Sequence, residues 1–144
     1  MNKNKKIIIG ICIIALIVIV VLVVNLLKKS DSIISFSETE IERAYITNGN
    51  NGNVTEIKNE NINLIYSNIK NMNVEEIEKN ETSGWQYYID FQLKDSTKRV
   101  IIVSSTVFEN ANKRFKVDKT DGNKLIQDIL NIETNATTTK TNKK

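Results

Sequence analysis

The sequence predicts an α+β protein: an N-terminal transmembrane helix, then an antiparallel sheet of about five to seven strands, with one main helix packed on it and a short C-terminal helix. Three observations predict this. Residues 7–27 form an apolar run whose one strongly polar side chain is Asn25. Trp85–Leu93 alternates strictly, with Trp85, Tyr87, Ile89, Phe91 and Leu93 on one face and polar partners or Tyr88 on the other. Ile62, Ile65, Tyr66, Ile69 and Met72 recur at helical spacing.

The apolar run reads IIIGICIIALIVIVVLVVNLL. Twenty-one residues rising 1.5 Å each span about 31 Å, the thickness of a bilayer's hydrocarbon core. Lipid offers the backbone no hydrogen-bond partners, so a spanning segment is helical even when built from Ile and Val. A cleaved signal peptide has an apolar stretch of about 7–15 residues followed by a small-x-small site. This run is longer and is closed by Lys28-Lys29, so an uncleaved signal anchor is expected. Cys12 is preceded by the bulky Ile11 and followed by more apolar chain, which argues against lipidation there. Ile14 lies four residues after Gly10, so that glycine starts no small-xxx-small helix-pairing motif. The run also lacks the glutamate of a type IV pilin, and the chain lacks the proline of a sortase signal. Lys3, Lys5 and Lys6 before the run outnumber Lys28 and Lys29 after it, a slim bias for a cytoplasmic N-terminus. Residues 1–6 are then a cytoplasmic stub too short to relay a signal, and the remainder lies outside the cell.

Residues 28–39 read as a spacer with a short strand at Ile33–Ser37, and residues 40–131 as the extracytoplasmic α+β domain. Glu40–Thr47 and Val54–Ile57 form a hairpin around the Asn-Gly cluster Asn48–Asn53, residues that tolerate positive φ. Asn59 caps the main helix. Asn73–Lys79 is a weakly apolar strand, and Asn80–Gly84 a turn. Trp85–Leu93, a turn at Lys94–Thr97 and Lys98–Ser105 make a second hairpin, and Val107–Glu109 with Arg114–Val117 a third. Asp121 caps a last helix with Leu125, Ile126, Ile129 and Leu130 inward. Residues 132–144, nearly all polar, are expected to be a disordered tail.

From Ile34 to about Asn131 the pattern resembles small extracytoplasmic domains of unknown function found in low-GC Gram-positive bacteria. The residues that carry the resemblance are the Asn-Gly hairpin at Asn48–Asn53, the helix opening at Asn59, the strand opening at Gly84-Trp85 and the closing Phe115–Asp118. The resemblance implies a fold and a location, and no catalytic residues.

Charge and composition remove several function classes. The net charge of +3 is misleading, because eight lysines lie at the anchor's flanks and in the tail. Residues 30–135 carry 12 Lys and Arg against 17 Asp and Glu, a balance of −5, where nucleic-acid binding wants a basic face. The chain has no histidine and a single cysteine inside the apolar run. That excludes a disulfide within the chain, a His/Cys zinc site, a Ser-His-Asp or Cys-His arrangement and a histidine base. Glu75, Glu76 and Glu78 lack the spacing of a calcium loop, and Asp118–Gly122 lacks the glutamate that would complete one. They read as a solvated face and a helix cap. Ser104 and Ser105 with Lys98 could suggest a Ser-Lys dyad, but turn chemistry explains the serines. Trp85, Tyr87 and Phe91 could line a sugar or peptide groove if exposed, yet alternation assigns them to the core, leaving Tyr88 as the exposed aromatic.

No catalytic, cofactor-binding or metal residue is therefore expected, and no cofactor. The expectation is a membrane-anchored, non-enzymatic binding or accessory domain of the cell envelope. Its partners would be the bilayer, through residues 7–27, and an envelope protein, not nucleic acid. The alternatives are an inhibitor or immunity-type protein and a small carboxylate-based hydrolase.

Overall fold

The computed structural model describes residues 13–20, 31–79 and 84–141, the last five of these by backbone alone. The chain divides into two units, Met1–Ser30 and Asp31–Lys144. In the first unit residues 13–20 are helical and their apolar side chains are exposed. Among the described residues no helix is long and apolar enough to cross a membrane. The rest of the expected span 7–27, the stub 1–6, Lys28-Lys29, residues 80–83 of the expected turn and the chain end at 142–144 lie outside the described residues.

The second unit is α+β, built on one seven-stranded antiparallel sheet. In chain order its elements are β1 (Ile41–Asn48), β2 (Val54–Ile57), α1 (Asn59–Lys70), β3 (Val74–Ile77), β4 (Tyr87–Leu93), β5 (Ser96–Ser104), β6 (Val107–Asn110), β7 (Lys113–Val117) and α2 (Lys119–Thr141). The strand order is β2-β1-β4-β5-β6-β7-β3. Helix α1 therefore links the two edge strands.

Pleating sends alternate residues to opposite faces. Ala44, Ile46, Ile89, Phe91, Val100 and Ile102 share one face and are 0% exposed. Ile62, Ile65 and Ile69 of α1 and Leu125, Ile129 and Ile132 of α2 join them in a single core, each at the i, i+3 or i+4 spacing of one helix face. The two helices also touch through polar groups. Asn68 Nδ2 donates to Asp128 Oδ2 at 2.7 Å, and Lys124 Nζ donates to Asn68 Oδ1 at 2.6 Å.

Several expectations are corrected here. Residues 31–39 are not a spacer, and Ile33–Ser37 forms no strand: Ile33 and Ile34 are fully buried and Phe36 nearly so, its ring 5.3 Å from that of Phe91. Buried backbone without ladder partners must find other ones. Asn110 donates to the Ile33 carbonyl, Lys70 to that of Ile34 at 3.1 Å, and the Tyr66 hydroxyl to that of Phe36 at 2.9 Å. Helix α1 starts at Asn59 itself, after Lys58, with no side-chain cap. Helix α2 is capped by Asp118, which accepts the Thr120 N–H at 2.8 Å, so Asp121 sits in its first turn rather than at its cap. This helix is 23 residues long and runs to Thr141, into the segment expected to be a tail. Ile132 is buried, and Asn48 Nδ2 donates to both carboxylate oxygens of Glu133 at 3.2 Å, which ties that stretch to the sheet. Leu130 is exposed instead of inward.

Candidate functional site

The sheet face away from the helices carries polar and aromatic side chains. Cross-strand register sets its rows. Glu56, Tyr45, Asp90 and Arg99 lie opposite one another along one row, and Val54, Thr47, Tyr88, Ile101, Glu109, Arg114 and Ile77 along the next.

Tyr88 is the centre of a small cluster. The Arg99 guanidinium sits over its ring, 4.0 Å from the centroid. Trp85 lies against it with ring centroids 4.6 Å apart and planes tilted by 54°, a favoured arrangement for two quadrupolar rings. Arg99 is fixed by a fork. Its Nε and Nη2 donate to the two oxygens of Asp90 at 2.6 and 2.8 Å. That bidentate bond, with burial opposing it and the Asp90 charge adding to it, raises the Arg99 pKa above its ordinary value. Half of the Arg99 side chain remains exposed, against 19% for Asp90.

Trp85 is the residue that pattern reading misplaced. It is 40% exposed, and β4 begins only at Tyr87. Gly84 holds φ at +97°, a conformation that L side chains rarely adopt, so the chain turns just before the tryptophan. The β1–β2 turn then seats it. Gly49 N–H donates to the Gln86 carbonyl at 2.7 Å, and a Cβ on Gly49 would stand 2.3 Å from the Trp85 carbonyl oxygen and 2.9 Å from its ring. Only glycine allows that approach. Tyr87 and Phe91 are buried as expected, and Tyr88 is half-buried between its two neighbours.

Next to the cluster on this face lies a charged group. Glu109 and Arg114 are 8% and 6% exposed and 3.7 Å apart, and Lys79 reaches Glu109 at 3.7 Å. Buried charges persist where partners compensate them, which is the case here.

The remaining sequence candidates do not converge. Glu75 and Glu76 point to opposite faces of β3, and Glu76 pairs with Lys113. Asp118 is held below its ordinary pKa by hydrogen bonds from Thr120 at the start of α2, backbone first. Lys98 and Ser104 lie at opposite ends of β5, about 20 Å apart at the rise of a strand, and Ser104 bonds Thr106 instead. Among the described residues no three His, Cys, Asp or Glu side chains gather as metal ligands. An open groove of about 400 Å³ borders β3, β7 and the start of α2, and its lining mixes Glu75 and Asp118 with Lys116 and Lys119. Comparison with known proteins finds no matching family model, no matching curated protein and no matching solved structure.

Proposed function

We propose that this chain is a single-pass, membrane-anchored binding protein of the cell envelope, held by residues 7–27, with the unit from Asp31 outside the cell. It acts by binding, not by chemistry. The observation that carries the binding part is Trp85, a large aromatic left 40% exposed where Tyr88 packs against it and Arg99 against Tyr88. Exposed Trp, Tyr and Arg are the residue types that dominate binding hot spots, and their pre-ordering lowers the entropy cost of association. The membrane part rests on the length and apolarity of residues 7–27 and on the closing Lys28-Lys29.

The test joins localisation with function. Full-length protein should stay in carbonate-washed membranes, and intact cells should expose the domain to an added protease. Trp85→Ala should abolish its cellular contribution while the protein stays folded and membrane-bound. A mature form starting near Ile33 in the medium would overturn the anchor, and an unimpaired Trp85→Ala strain would overturn the site.

One observation favours a second reading, the inhibitor or immunity-type protein. Strand β2 is a sheet edge, and its Val54 is 60% exposed. Such an edge can take a partner's strand through main-chain groups alone. The opposite edge is less open, because Asp31 accepts the Glu76 N–H of β3 at 3.2 Å. A stable one-to-one complex lost on Thr55→Pro, and kept on Trp85→Ala, would favour that reading.

A further inference from the structure

We propose that the Trp85 surface binds a neutral hexopyranose glycan, a chain of equatorially linked six-membered sugar rings. The inference rests on the binding role given above to this surface and names the ligand it would take.

Tyr88 already meets two groups, Trp85 with ring centroids 4.6 Å apart and the Arg99 guanidinium 4.0 Å from its centroid. Trp85, by contrast, remains 40% exposed. A single indole face is a flat platform with negative potential above it. The matching ligand surface is flat, uncharged and edged with weakly positive C–H groups. A hexopyranose ring with equatorial substituents has such a face, its axial C–H bonds aligned toward the aromatic plane.

The polar neighbours fit the rim of such a ring. A guanidinium carries five N–H donors. Arg99 uses Nε and one on Nη2 for Asp90, which leaves three, among the described residues, for ligand oxygens. Asp90 still has lone pairs to accept from a hydroxyl. A donor and an acceptor in one plane suit neighbouring hydroxyls, each of which both donates and accepts.

Charge decides against other ligands. Asp90 neutralises Arg99, and Glu109 lies between Arg114 and Lys79 and offsets one of their two charges, so the face mixes both signs and is not a field of one sign. An anionic ligand on the free Arg99 donors would stand beside the Asp90 carboxylate, whose like charge opposes it. A proline-rich peptide, the other ligand of exposed Trp and Tyr, seats its rings in slots between aromatics. Here the two aromatics close on each other and leave no slot.

Trp85 is the only tryptophan of the chain, so its emission reports on this site alone. The experiment uses the full chain in detergent micelles. It is titrated with cellohexaose, with the hexamer of β-1,4-linked N-acetylglucosamine, with a proline-rich dodecapeptide and with a sulfated polysaccharide. One or both neutral hexasaccharides should shift the Trp85 emission saturably, and the other two probes should not. Calorimetry should then show Trp85→Ala and Arg99→Ala each weakening the glycan by at least about tenfold, the loss expected of a truncated hot-spot residue. Arg99→Lys, which keeps charge but loses the fork, should weaken it too. Circular dichroism checks that each variant is folded. Saturable binding of the peptide or the sulfated polymer, with no response to either neutral glycan, would overturn the glycan assignment and leave the binding surface standing. Silence toward all four probes, together with an unimpaired Trp85→Ala strain, would overturn the surface itself.

Discussion

The two faces of the sheet are built from the same strands and obey different rules. Toward the helices, Ile46, Ile89, Phe91, Val100 and Ile102 are fully buried, and what matters there is filled volume. Toward the other side, their strand neighbours Tyr45, Tyr88, Asp90 and Arg99 keep partial contact with water, and what matters is which group meets which. The covered face carries stability through many interchangeable apolar contacts. Away from the buried Glu109–Arg114 pair the open face carries less of it, but its contacts are specific: a fork, a ring pair and a glycine that admits only one neighbour. Substitutions on the two faces should therefore differ in kind, large and unselective on one, small and site-specific on the other.

The largest effect is expected at Phe91. It is fully buried and packs against Phe36. Phe91→Ala should cost about 3–5 kcal/mol, a large share of a reserve of about 5–15 kcal/mol. Chemical denaturation of the full chain in detergent measures it. A loss below about 1 kcal/mol would mean that the covered face is not the core.

Next comes Ile34, which separates a packed segment from a spacer. Its side chain is fully buried and its carbonyl accepts from Lys70. Ile34→Ala should cost about 2–5 kcal/mol. A spacer residue would tolerate the change within about 0.5 kcal/mol.

The contrast between the faces also explains how far the sequence could be read. Alternation and helical spacing located all seven strands and α1, because burying an apolar face leaves a period in the chain. Trp85 defeated the same rule. Its parity matches Tyr87, Ile89 and Phe91, but the strand has not yet begun at residue 85, and a parity has no meaning outside a strand. The one local sign was Gly84 before it. The Asp90–Arg99 fork was missed for a different reason. A four-residue turn at Lys94–Thr97 places Asp90 opposite Ile101, whereas the observed two-residue turn pairs Leu93 with Ser96 and thus Asp90 with Arg99. A small error in turn length shifts every cross-strand pair. Ile33, Ile34 and Phe36 were hidden because their segment is irregular and owes its place to donors from Asn110, Lys70 and Tyr66, far along the chain. The far half of α2 lacks an apolar stripe after Ile132, so composition alone argued for a tail there.

Trp85 should behave as an open-face residue. Trp85→Ala removes a partly exposed ring and its contact with Tyr88, a loss of about 1 kcal/mol, not the larger cost of a buried aromatic. Gly49→Ala should displace the same ring without removing it, because its Cβ would meet the Trp85 backbone oxygen at 2.3 Å. Trp85 emission should change in that variant while the far-ultraviolet spectrum does not. A Trp85→Ala protein that unfolds would place Trp85 in the core after all.

A smaller effect is expected in acid. Hydrogen bonds from Thr120 hold the Asp118 carboxyl below its ordinary value of 3.8. A carboxylate with a depressed folded pKa stabilises the fold above the unfolded value and loses that contribution as pH falls through the folded one. The native chain should thus lose stability below about pH 4, and Asp118→Ala should flatten that limb while lowering stability at neutral pH. An acid limb unchanged by the substitution would mean that Asp118 does not cap α2.

The smallest expected effect is none. Adding a chelator such as EDTA to the full chain in detergent should leave its melting temperature unchanged. The reason lies in how the carboxylates are used. A calcium site needs six to eight oxygens, several of them from carboxylates aimed at one point. Glu76 is turned to Lys113, Glu75 faces the other side of β3, Asp118 is engaged by Thr120, Asp90 by Arg99, and Asp128 by Asn68 and Lys124. To gather any three of them, the fold would have to give up a fork, a helix cap or the contact between α1 and α2. A cation that binds the folded state alone would raise its stability by mass action, and chelation would remove that gain. A melting temperature that falls by several degrees in EDTA would show that some of these carboxylates leave their present partners for a metal, and the acidic residues of β3 and the start of α2 would be the first to substitute.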